Sequence, residues 1–486
     1  MTLDLPGLTD DEQRTLNRLM NQLSVKQTRN ALRSCYYDGK RLVNRLQSLV
    51  PPQYFHLGLC LGWAAKAVDL PSRRATVNQF VWPDGDLDSL GITESWTGNN
   101  TRSRVSSAIK SSMIHSTSFL INTLGDPERG EPQGLIHVKD AMSATGDMNS
   151  RAGDRLDSLL SITRWGSADP ANPENRGGAV LGLALYLNNL TITAERDEIQ
   201  GMGLSEWTVT RYAHPWGVPA EAVVYKPQEG RPFGSSRISR PLMAIHDSAV
   251  RSLIRLEGHM DVYSWPEMFL LGADASIFKN QDGSMKAEWQ VMLGRVKGIP
   301  DDETAAVPRA DVKQFPASSP EPHLAQLNAL AKLFAREASL PDTSIAITDV
   351  SNPTSGESYD ASQHELISEV EGSIDDWSPA IARAQIRALA MQNDERVIPS
   401  SWKSIAPVFR NPRYTSRAAE ADAGQKTLAA VPWLADTEVG LELLGLSPSQ
   451  IRRALAERDV RALTSESALL ADALGRNITP EVPELQ

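Results

Sequence analysis

The chain has 486 residues, of which 41% are hydrophobic and 22% are charged. At about 150 residues per domain this length gives roughly three compact units, and the composition excludes a chain that is disordered throughout. Lys+Arg 49 against Asp+Glu 60 gives a net charge of −11. The chain therefore lacks the basic excess of a tight, nonspecific nucleic-acid binder, and any DNA contact must be local or weak.

Cys35 and Cys60 are the two cysteines. So few cysteines favour a reducing compartment, and we expect both side chains to be buried as small apolar groups. The first residues are acidic and lack the basic start of a signal peptide, so we expect no export by that route. The longest apolar runs, 57–65 and 179–187, are shorter than the roughly 18 to 20 residues that span a bilayer, so we expect no membrane segment.

The N-terminal half mixes helical and strand patterns, which predicts an α+β region. Leu16, Leu19, Met20 and Leu23 follow the spacing of one helix face, whereas residues 80–82 form a short strand pattern that Pro83-Asp84-Gly85 ends. Residues 135–225 contain several strand patterns separated by Gly, Pro and Asn. This segment predicts a largely antiparallel sheet.

A long helix is predicted from residue 239 to 263. A second apolar line of Met243, Val250 and Ile254 widens its stripe, so we expect neighbours on two sides of the helix. Pro241 lies in the first turn, and Trp265-Pro266 is expected to end the helix. The main stripe consists of Leu242, Ile245, Ala249, Leu253, Leu256, Met260 and Tyr263.

Short strand patterns fill residues 265–319, and a second helix follows them. The strand patterns at 268–271 and 289–293 predict a small β insertion. Ser319 is expected to cap the helix, with Pro320 at its first position and Leu340-Pro341 at its end. The helix stripe consists of Leu324, Leu327, Leu330 or Ala331, Phe334 and Ala338.

A polar, turn-prone loop at residues 349–356 leads into a third helical pattern. Gly372 and Ser378-Pro379 lie inside this pattern, and they predict a kink or a break because proline removes a helical hydrogen bond. From Arg396 onward we expect a set of shorter helices, one of them capped by Ser447-Pro448.

No motif predicts catalysis, a cofactor or a metal site. Residues 230–236 imitate a phosphate-binding loop but lack its Lys-Ser/Thr ending. Residues 84–88 resemble the start of a calcium loop, but Ser89 and Ser95 stand where Gly and Glu are needed. His364-Glu365 is an isolated pair, and acids such as Asp301-Asp302 are expected to be exposed charges. An enzyme of unknown reaction, nucleotide-binding or hydrolytic, stays open as an alternative on the loop at 230–236 and the scattered acids.

The order of the predicted elements resembles the portal proteins of tailed double-stranded DNA bacteriophages, in the subgroup common in phages of actinobacteria. The similarity extends over about residues 32–456 and depends on several short segments in order, each of them weak alone. These segments are YYDGK at 36–40, GRPFGSSRIS at 230–239, FP at 315–316 with PEPHL at 320–324, SNPTSGE at 351–357, and residues 402–426.

The resemblance implies a dodecameric ring at one capsid vertex, with DNA passing through its channel. It implies a portal fold within the α+β class, and a structural protein instead of an enzyme. The regions it implies are a wing at 1–238, a stem helix at 239–264, a clip at 265–319, a second stem helix at 320–341, a tunnel loop and kinked wing helix at 342–395, and a helical crown at 396–486.

The resemblance also implies site residues and partners. The tunnel-loop residues are Ser351, Asn352, Pro353, Thr354, Ser355, Gly356 and Glu357, although Gly356 to Ser358 could instead cap the next helix. The stem-packing residues are Leu242, Ile245, Ala249, Leu253, Leu256, Met260, Leu327 and Phe334, and the clip residues are Phe269, Leu271, Trp289 and Val291. The implied partners are further copies of the chain, the terminase large subunit, major capsid and scaffolding proteins, a head-tail adaptor and double-stranded DNA read without sequence preference, with no membrane. The implied location is the virion portal vertex, and the host cytoplasm during assembly.

Physical considerations are compatible with this reading. A helix striped on two sides suits a ring in which each subunit contacts two neighbours. An acidic chain suits a channel in which DNA must slide, because every Lys or Arg contact with phosphate strengthens binding. Another head-tail connector component is disfavoured, because adaptors are usually much shorter.

Overall fold

The computed structural model combines α-helices with mostly antiparallel sheets, which confirms the predicted α+β class. Within the described ranges, no helix has both the length and the apolar character that crossing a bilayer requires. The structure describes residues 3–40, 59–151, 153–166, 178–199, 203–263, 268–271, 296–299, 311–314, 318–345, 356–413 and 417–473.

The first helix, α1 (Asp10–Tyr37), begins with a capping box. The Thr9 hydroxyl accepts from the Glu12 amide at 3.4 Å, and the Glu12 carboxylate accepts from the Thr9 amide at 2.8 Å. The predicted stripe of Leu16, Leu19, Met20 and Leu23 is buried, as expected. The next elements are α2 (Trp63–Arg74), β1 (Val77–Val81), α3 (Ile92–Gly98) and α4 (Thr101–His115).

Two antiparallel sheets follow, as the strand patterns at 135–225 predict. Their strands are β2 (Thr117–Leu124), β3 (Gly134–Asp140), β4 (Ala144–Met148), β5 (Leu156–Trp165), β6 (Val180–Leu187), β7 (Leu190–Glu195), β10 (Thr208–Ala213) and β11 (Ala220–Val224), with β8 (Glu198–Ile199) and β9 (Gly203–Leu204) forming a separate short pair. The larger sheet has the order β10-β7-β6-β5-β4, and the smaller has the order β11-β2-β3. Helix α1 covers the larger sheet, since Leu16 and Leu19 share a buried cluster with strands β5 to β7.

Two long helices are present where the sequence predicts them. They are α5 (Arg240–Tyr263) and α6 (Glu321–Glu337), and we call them the helix pair. The N-cap of α6 is Pro320, so the expectation that Ser319 caps this helix is wrong. Ser319 still helps to begin α6, because its hydroxyl accepts from the Glu321 amide at 3.2 Å.

A small three-stranded sheet lies between the two long helices in the chain. Its strands are β12 (Met268–Leu271), β13 (Val296–Ile299) and β14 (Asp311–Gln314). The central strand β12 pairs parallel with β13 and antiparallel with β14. The predicted strand at 268–271 is therefore confirmed, and it carries Phe269 and Leu271. Trp289 and Val291 lie outside the described residues.

The third helical pattern forms one continuous helix, α7 (Gly356–Gln392), which passes through Pro379. The expected break there is wrong, and a bend at Pro379 stays a prediction. Trp377, Ala380 and Ile381 are buried around the proline, and this packing offsets the lost hydrogen bond, which costs about 3 kcal/mol.

The C-terminal region begins against the N-terminal part of the molecule. Strand β15 (Ala406–Phe409) pairs antiparallel with β1, and Trp402 just before it is buried. Ser447 caps the last helix, as predicted, because it exchanges hydrogen bonds with Gln450. The helices here are α8 (Arg417–Ala430), α9 (Glu438–Leu443) and α10 (Pro448–Ala473). At 26 residues, α10 is longer than the short helices expected.

The largest buried cluster joins residues that are distant in sequence. It includes Trp63 of α2, Leu120 of β2, Leu242 of α5, Phe334 of α6 and Trp377 of α7. The helix pair and α7 therefore share a core with the N-terminal helices.

The two cysteines are free thiols, and neither is buried. Cys35 is half-buried on α1 and Cys60 is exposed in the segment before α2. The expectation of two buried cysteines is therefore wrong, because Cys60 lies in irregular chain and not on the apolar face of an element.

Candidate functional site: the helix pair and its buried anchor

The helix pair packs on the main core through four of its eight predicted stem-packing residues. Leu242 and Ala249 of α5 and Leu327 and Phe334 of α6 are buried. The Phe334 ring lies 5.4 Å from the Trp63 ring, measured between centroids. These positions fix the helix pair to α2 and the rest of the main core within a single chain.

The second apolar line of α5 is also covered by the same chain. Val250 and Ile254 are buried, and Leu59 and Leu61 pack against them. The prediction of neighbours on two sides of this helix is confirmed. At these positions, however, both neighbours come from the subunit itself, so a ring is not needed to explain them.

Other residues of the predicted stem stripe are only partly buried by the same chain. Ile245, Leu253 and Leu256 are half-buried, and the first two pack against the main core. Met260 is 44% exposed, and Leu333 on α6 is 52% exposed. These two side chains are large and apolar, and they remain available for contact with another chain.

Arg237 joins the sheet region to the helix pair. Its side chain is only 4% exposed. The guanidinium donates to the carbonyl of Ala67 at 2.5 Å, to the Tyr225 hydroxyl at 2.8 Å and to the carbonyl of Ala338 just after α6. Nη1 lies 3.3 Å from a carboxylate oxygen of Glu369 on α7. We call Arg237, Tyr225 and Glu369 the buried anchor, and Lys226, whose side chain is 50% exposed, contacts it from the surface.

Opposite charges and hydrogen bonds balance one another within the buried anchor. Lys226 Nζ lies 2.8 Å from the Glu369 carboxylate, and the Tyr225 hydroxyl donates to the same carboxylate. Burial alone would raise the pKa of the Glu369 carboxyl, but the hydrogen bonds from Lys226 and Tyr225 and the charge of Arg237 lower it overall. Burial raises the pKa of the Tyr225 phenol despite the nearby Arg237. Glu369 is therefore held as a carboxylate.

The glycine loop at 230–236 is a structural turn. Gly234 has φ +65°, and a Cβ there would lie 2.1 Å from the carbonyl of Tyr225, so only glycine fits. The Ser235 amide donates to that carbonyl at 3.0 Å, and the Ser236 hydroxyl donates to the carbonyl of Ile114 at 2.6 Å. The Arg231 and Gly234 amides also donate within the protein, so the main chain of the loop does not form a phosphate cradle for a nucleotide, and the enzyme alternative loses its main support.

A second buried ion cluster joins α7 to the sheets. Glu221 of β11 accepts from Arg383 at 2.8 Å and from Arg387 at 2.7 Å, and Arg383 also contacts Asp154 at 2.8 Å. Asn122 accepts from Arg387 at 3.2 Å. Each charge has an opposite partner, which is typical of a structural network.

The predicted tunnel loop is described only at its end. Gly356 and Glu357 are the first residues of α7, so the loop assignment is wrong for these two residues, and a capping role for Gly356 to Ser358 stays a prediction. Residues 351–355 lie outside the described residues. In the described ranges no three His, Cys, Asp or Glu side chains are placed to hold a metal ion.

The sequence analysis missed the buried anchor, although Arg237 lies in one of the segments that carry the resemblance. One usable signal was the run of small and turn residues before Arg237, which suits a tightly packed turn. Most of its partners could not be predicted from the sequence, because Ala67, Ala338 and Glu369 lie at least 101 residues away along the chain.

Comparisons with known proteins give one family and several distant structures. The family model described as phage portal protein, SPP1 Gp6-like, matches residues 17–458. No curated protein matches the chain. A structure titled as the neck of a native GTA particle computed with C12 symmetry is 14% identical, with 79% of this chain and 90% of that chain covered at a TM-score of 0.39. The virion of a native gene transfer agent (GTA) particle gives 14% identity with the same coverages and a TM-score of 0.37. The neck of an empty GTA particle computed with C6 symmetry is 13% identical, with 80% of this chain and 91% of that chain covered at a TM-score of 0.41.

Proposed function

The chain belongs to the family of SPP1 Gp6-like phage portal proteins, and we propose that it forms the ring through which DNA enters and leaves a phage capsid. The observation that carries the proposal is the family match, which extends over residues 17–458 and includes the helix pair and the buried anchor. Portal proteins are structural proteins, so the expectation of a non-enzyme is confirmed by the family.

The proposed ring contains twelve copies and lies at the portal vertex of the virion, after assembly in the host cytoplasm. Met260 and Leu333 support an assembly role for the helix pair, because both are large, apolar and about half exposed in the single chain. A contact between different faces of neighbouring subunits closes into a ring when the rotation per subunit allows it.

We assign the remaining regions by the order of elements. Residues 1–238 form the wing, 239–264 and 320–341 the stem, 265–319 the clip, 342–395 the tunnel loop and long wing helix, and 396–486 the crown. The small sheet of β12 to β14 supports the clip assignment, because it lies between the two long helices in the chain. Phe269, Leu271, Trp289 and Val291 belong to this proposed clip.

The proposed partners follow from the same role. The clip is the docking surface for the terminase large subunit during packaging and for a head-tail adaptor afterwards, and the wing meets major capsid and scaffolding proteins. Residues 351–357 contain no Lys or Arg, so they offer double-stranded DNA only weak contacts in the channel. The net charge of −11 also suits a channel in which DNA slides.

Electron microscopy of the purified protein tests the assembly directly. We expect rings with a central channel and twelvefold symmetry, and light scattering should give a mass near twelve times the 53.2 kDa subunit. A compact monomer under all assembly conditions would contradict the proposal, and catalytic turnover by that monomer would revive the enzyme alternative.

A further inference from the structure

Lys26 and Arg29 of helix α1 line a cavity of about 300 Å³, and Arg33 follows about one turn after Arg29 on the same helix. We call Lys26, Arg29, Arg33 and Arg231 the cation cluster. The first three follow one another at steps of three and four, so they lie on one helix face and extend over about 10 Å at 1.5 Å rise per residue. Arg231 reaches the same cavity from the glycine loop.

Neighbouring contacts hold this part of α1 in place. Arg18 pairs with Asp147 at 2.6 Å, Gln22 donates to Thr145 at 2.9 Å, and Asn30 donates to the carbonyl of Ala141 at 3.0 Å. Lys26 Nζ lies 5.1 Å from the centre of the Phe233 ring. These contacts hold the stretch of α1 that carries Lys26, Arg29 and Arg33 against the neighbouring strands.

The charge of the cation cluster is compensated only in part, by Asp147 acting on Lys26, and Asp147 itself forms an ion pair with Arg18. Among the described residues, none of its four members forms an ion pair, and the nearby Asp147 already contacts Arg18 and Ser158. Burial and the charge of Arg29 lower the pKa of both Lys26 and Arg33, the latter to about 10, while the charge of Asp147 acts in the opposite direction on Lys26. Ser116, another cavity residue, has φ +82°, an uncommon conformation for a residue other than glycine.

We propose that the cation cluster binds phosphate groups of double-stranded DNA. Mutual repulsion among several cations is relieved best by a ligand with several closely spaced negative charges, and duplex DNA carries one charge per about 1.7 Å of its axis. Charge contacts with phosphate do not read base sequence. The inference extends the proposed function, because it adds a DNA contact on the wing to the weak contacts expected in the channel.

The test compares DNA binding by the wild-type protein and the double variant Arg29→Gln/Arg231→Gln. Both arginines are exposed, so the variant should fold normally. The control is Arg14→Gln/Arg129→Gln, which removes the same charge from two exposed arginines that pair with Asp11 and Asp126. Binding of a labelled DNA duplex is measured by fluorescence anisotropy over a range of salt concentrations, with rings checked by electron microscopy.

We expect the slope of log K against log salt to fall by about 0.9 for each lost phosphate contact, about 1.8 in the double variant, with little change in the control. Equal slopes in the wild type and the double variant would overturn the proposal. Tighter binding of polyglutamate than of DNA, lost in the double variant, would also overturn it in favour of an acidic protein partner. If the wild-type protein bound inorganic phosphate more tightly than chloride at equal ionic strength but did not bind DNA, the cavity would instead be a site for free phosphate. Absence of wild-type rings would contradict the proposed function, while DNA binding could still be measured on the same protein.

Discussion

The Arg237 side chain is almost completely buried, and its charge is tolerated there because each of its three guanidinium nitrogens donates a hydrogen bond. Two of the acceptors are main-chain carbonyls, of Ala67 and Ala338. The other two are the Tyr225 hydroxyl and the Glu369 carboxylate, and the Glu369 carboxylate also pairs with Lys226. The side chain therefore ties α2, the sheets, the end of α6 and α7 to one another.

Replacing Arg237 by methionine should destabilise the subunit. The methionine keeps much of the volume but leaves buried carbonyls without donors, and each such loss costs about 1–3 kcal/mol, so we expect a total of about 3 kcal/mol or more. Chemical denaturation measures the change in the free energy of unfolding. The matched control is Arg240→Met, because Arg240 is exposed three residues later. Equal stability of the two variants would show that the anchor contributes nothing.

The pH dependence of stability should report on Glu369. Its pKa is lowered in the folded protein, so its contribution is present above the unfolded pKa of about 4.3 and is lost as the pH falls through the folded value. We expect Glu369→Gln to be less stable than the wild type at neutral pH, with a difference that shrinks in acid. Urea denaturation at several pH values measures this. Glu371→Gln, at a half-exposed carboxylate 4.0 Å from Arg413, is the control and should show little difference at any pH.

At this scale the sequence predicted apolar positions much better than polar ones. Leu16, Leu242 and Phe334 were placed correctly because the spacing of apolar residues on a helix records which face is buried. Arg237 and Glu369 were missed because a charged residue is buried only when distant elements supply its partners, and one sequence does not show those contacts.

At the scale of elements, the bounds of helices with regular apolar stripes were predicted closely. The effect of a proline inside a helix was not. The helix pair lies within a few residues of its expected bounds. The break expected at Pro379 is absent because α7 is buried on both sides of the proline, and tertiary packing outweighs the local preference. The strand β15 illustrates the same limit, since its partner β1 precedes it by more than 300 residues.

The exposed apolar side of α6 gives a test of ring assembly. Leu333→Asp should leave the subunit folded, because Leu333 is 52% exposed, but it should disrupt rings if a neighbour covers this side chain. An unpaired carboxylate at a dry contact costs several kcal/mol, repeated at every interface of the ring. Leu253→Asp is less informative, because Leu253 packs on the subunit's own core.

Mass photometry and electron microscopy measure the outcome. Gln326→Asp is the control, because it adds the same charge at an exposed position of α6 and should leave rings intact. Rings of unchanged yield and stability from Leu333→Asp would show that this face of the helix pair is not an interface.

For the whole molecule, charge is distributed unevenly. The chain carries a net charge of −11, yet Lys26, Arg29 and Arg33 of α1 form no ion pair among the described residues, and the nearby Asp147 pairs with Arg18 instead. Residues 351–357, by contrast, contain no basic residue. A molecule of this kind can hold DNA at one surface and let it slide at another, because affinity for phosphate depends on the local number of cations and not on net charge.

The loop before α7 tests the DNA-conduit role at the level of the whole assembly. Shortening residues 351–355 should leave rings intact, because this segment of small polar residues adds no apolar stripe and the subunit's described core lies elsewhere. If the proposed channel placement of these residues is correct, DNA packaging or retention should fall, because the shortened segment makes fewer contacts with DNA. Ring yield is measured by electron microscopy and packaged DNA by nuclease protection in procapsids. A variant with the residues replaced by a Gly-Ser segment of equal length controls for length. If the shortened chain folded but formed no rings, the loop would be a contact between subunits and its placement in the channel would be wrong.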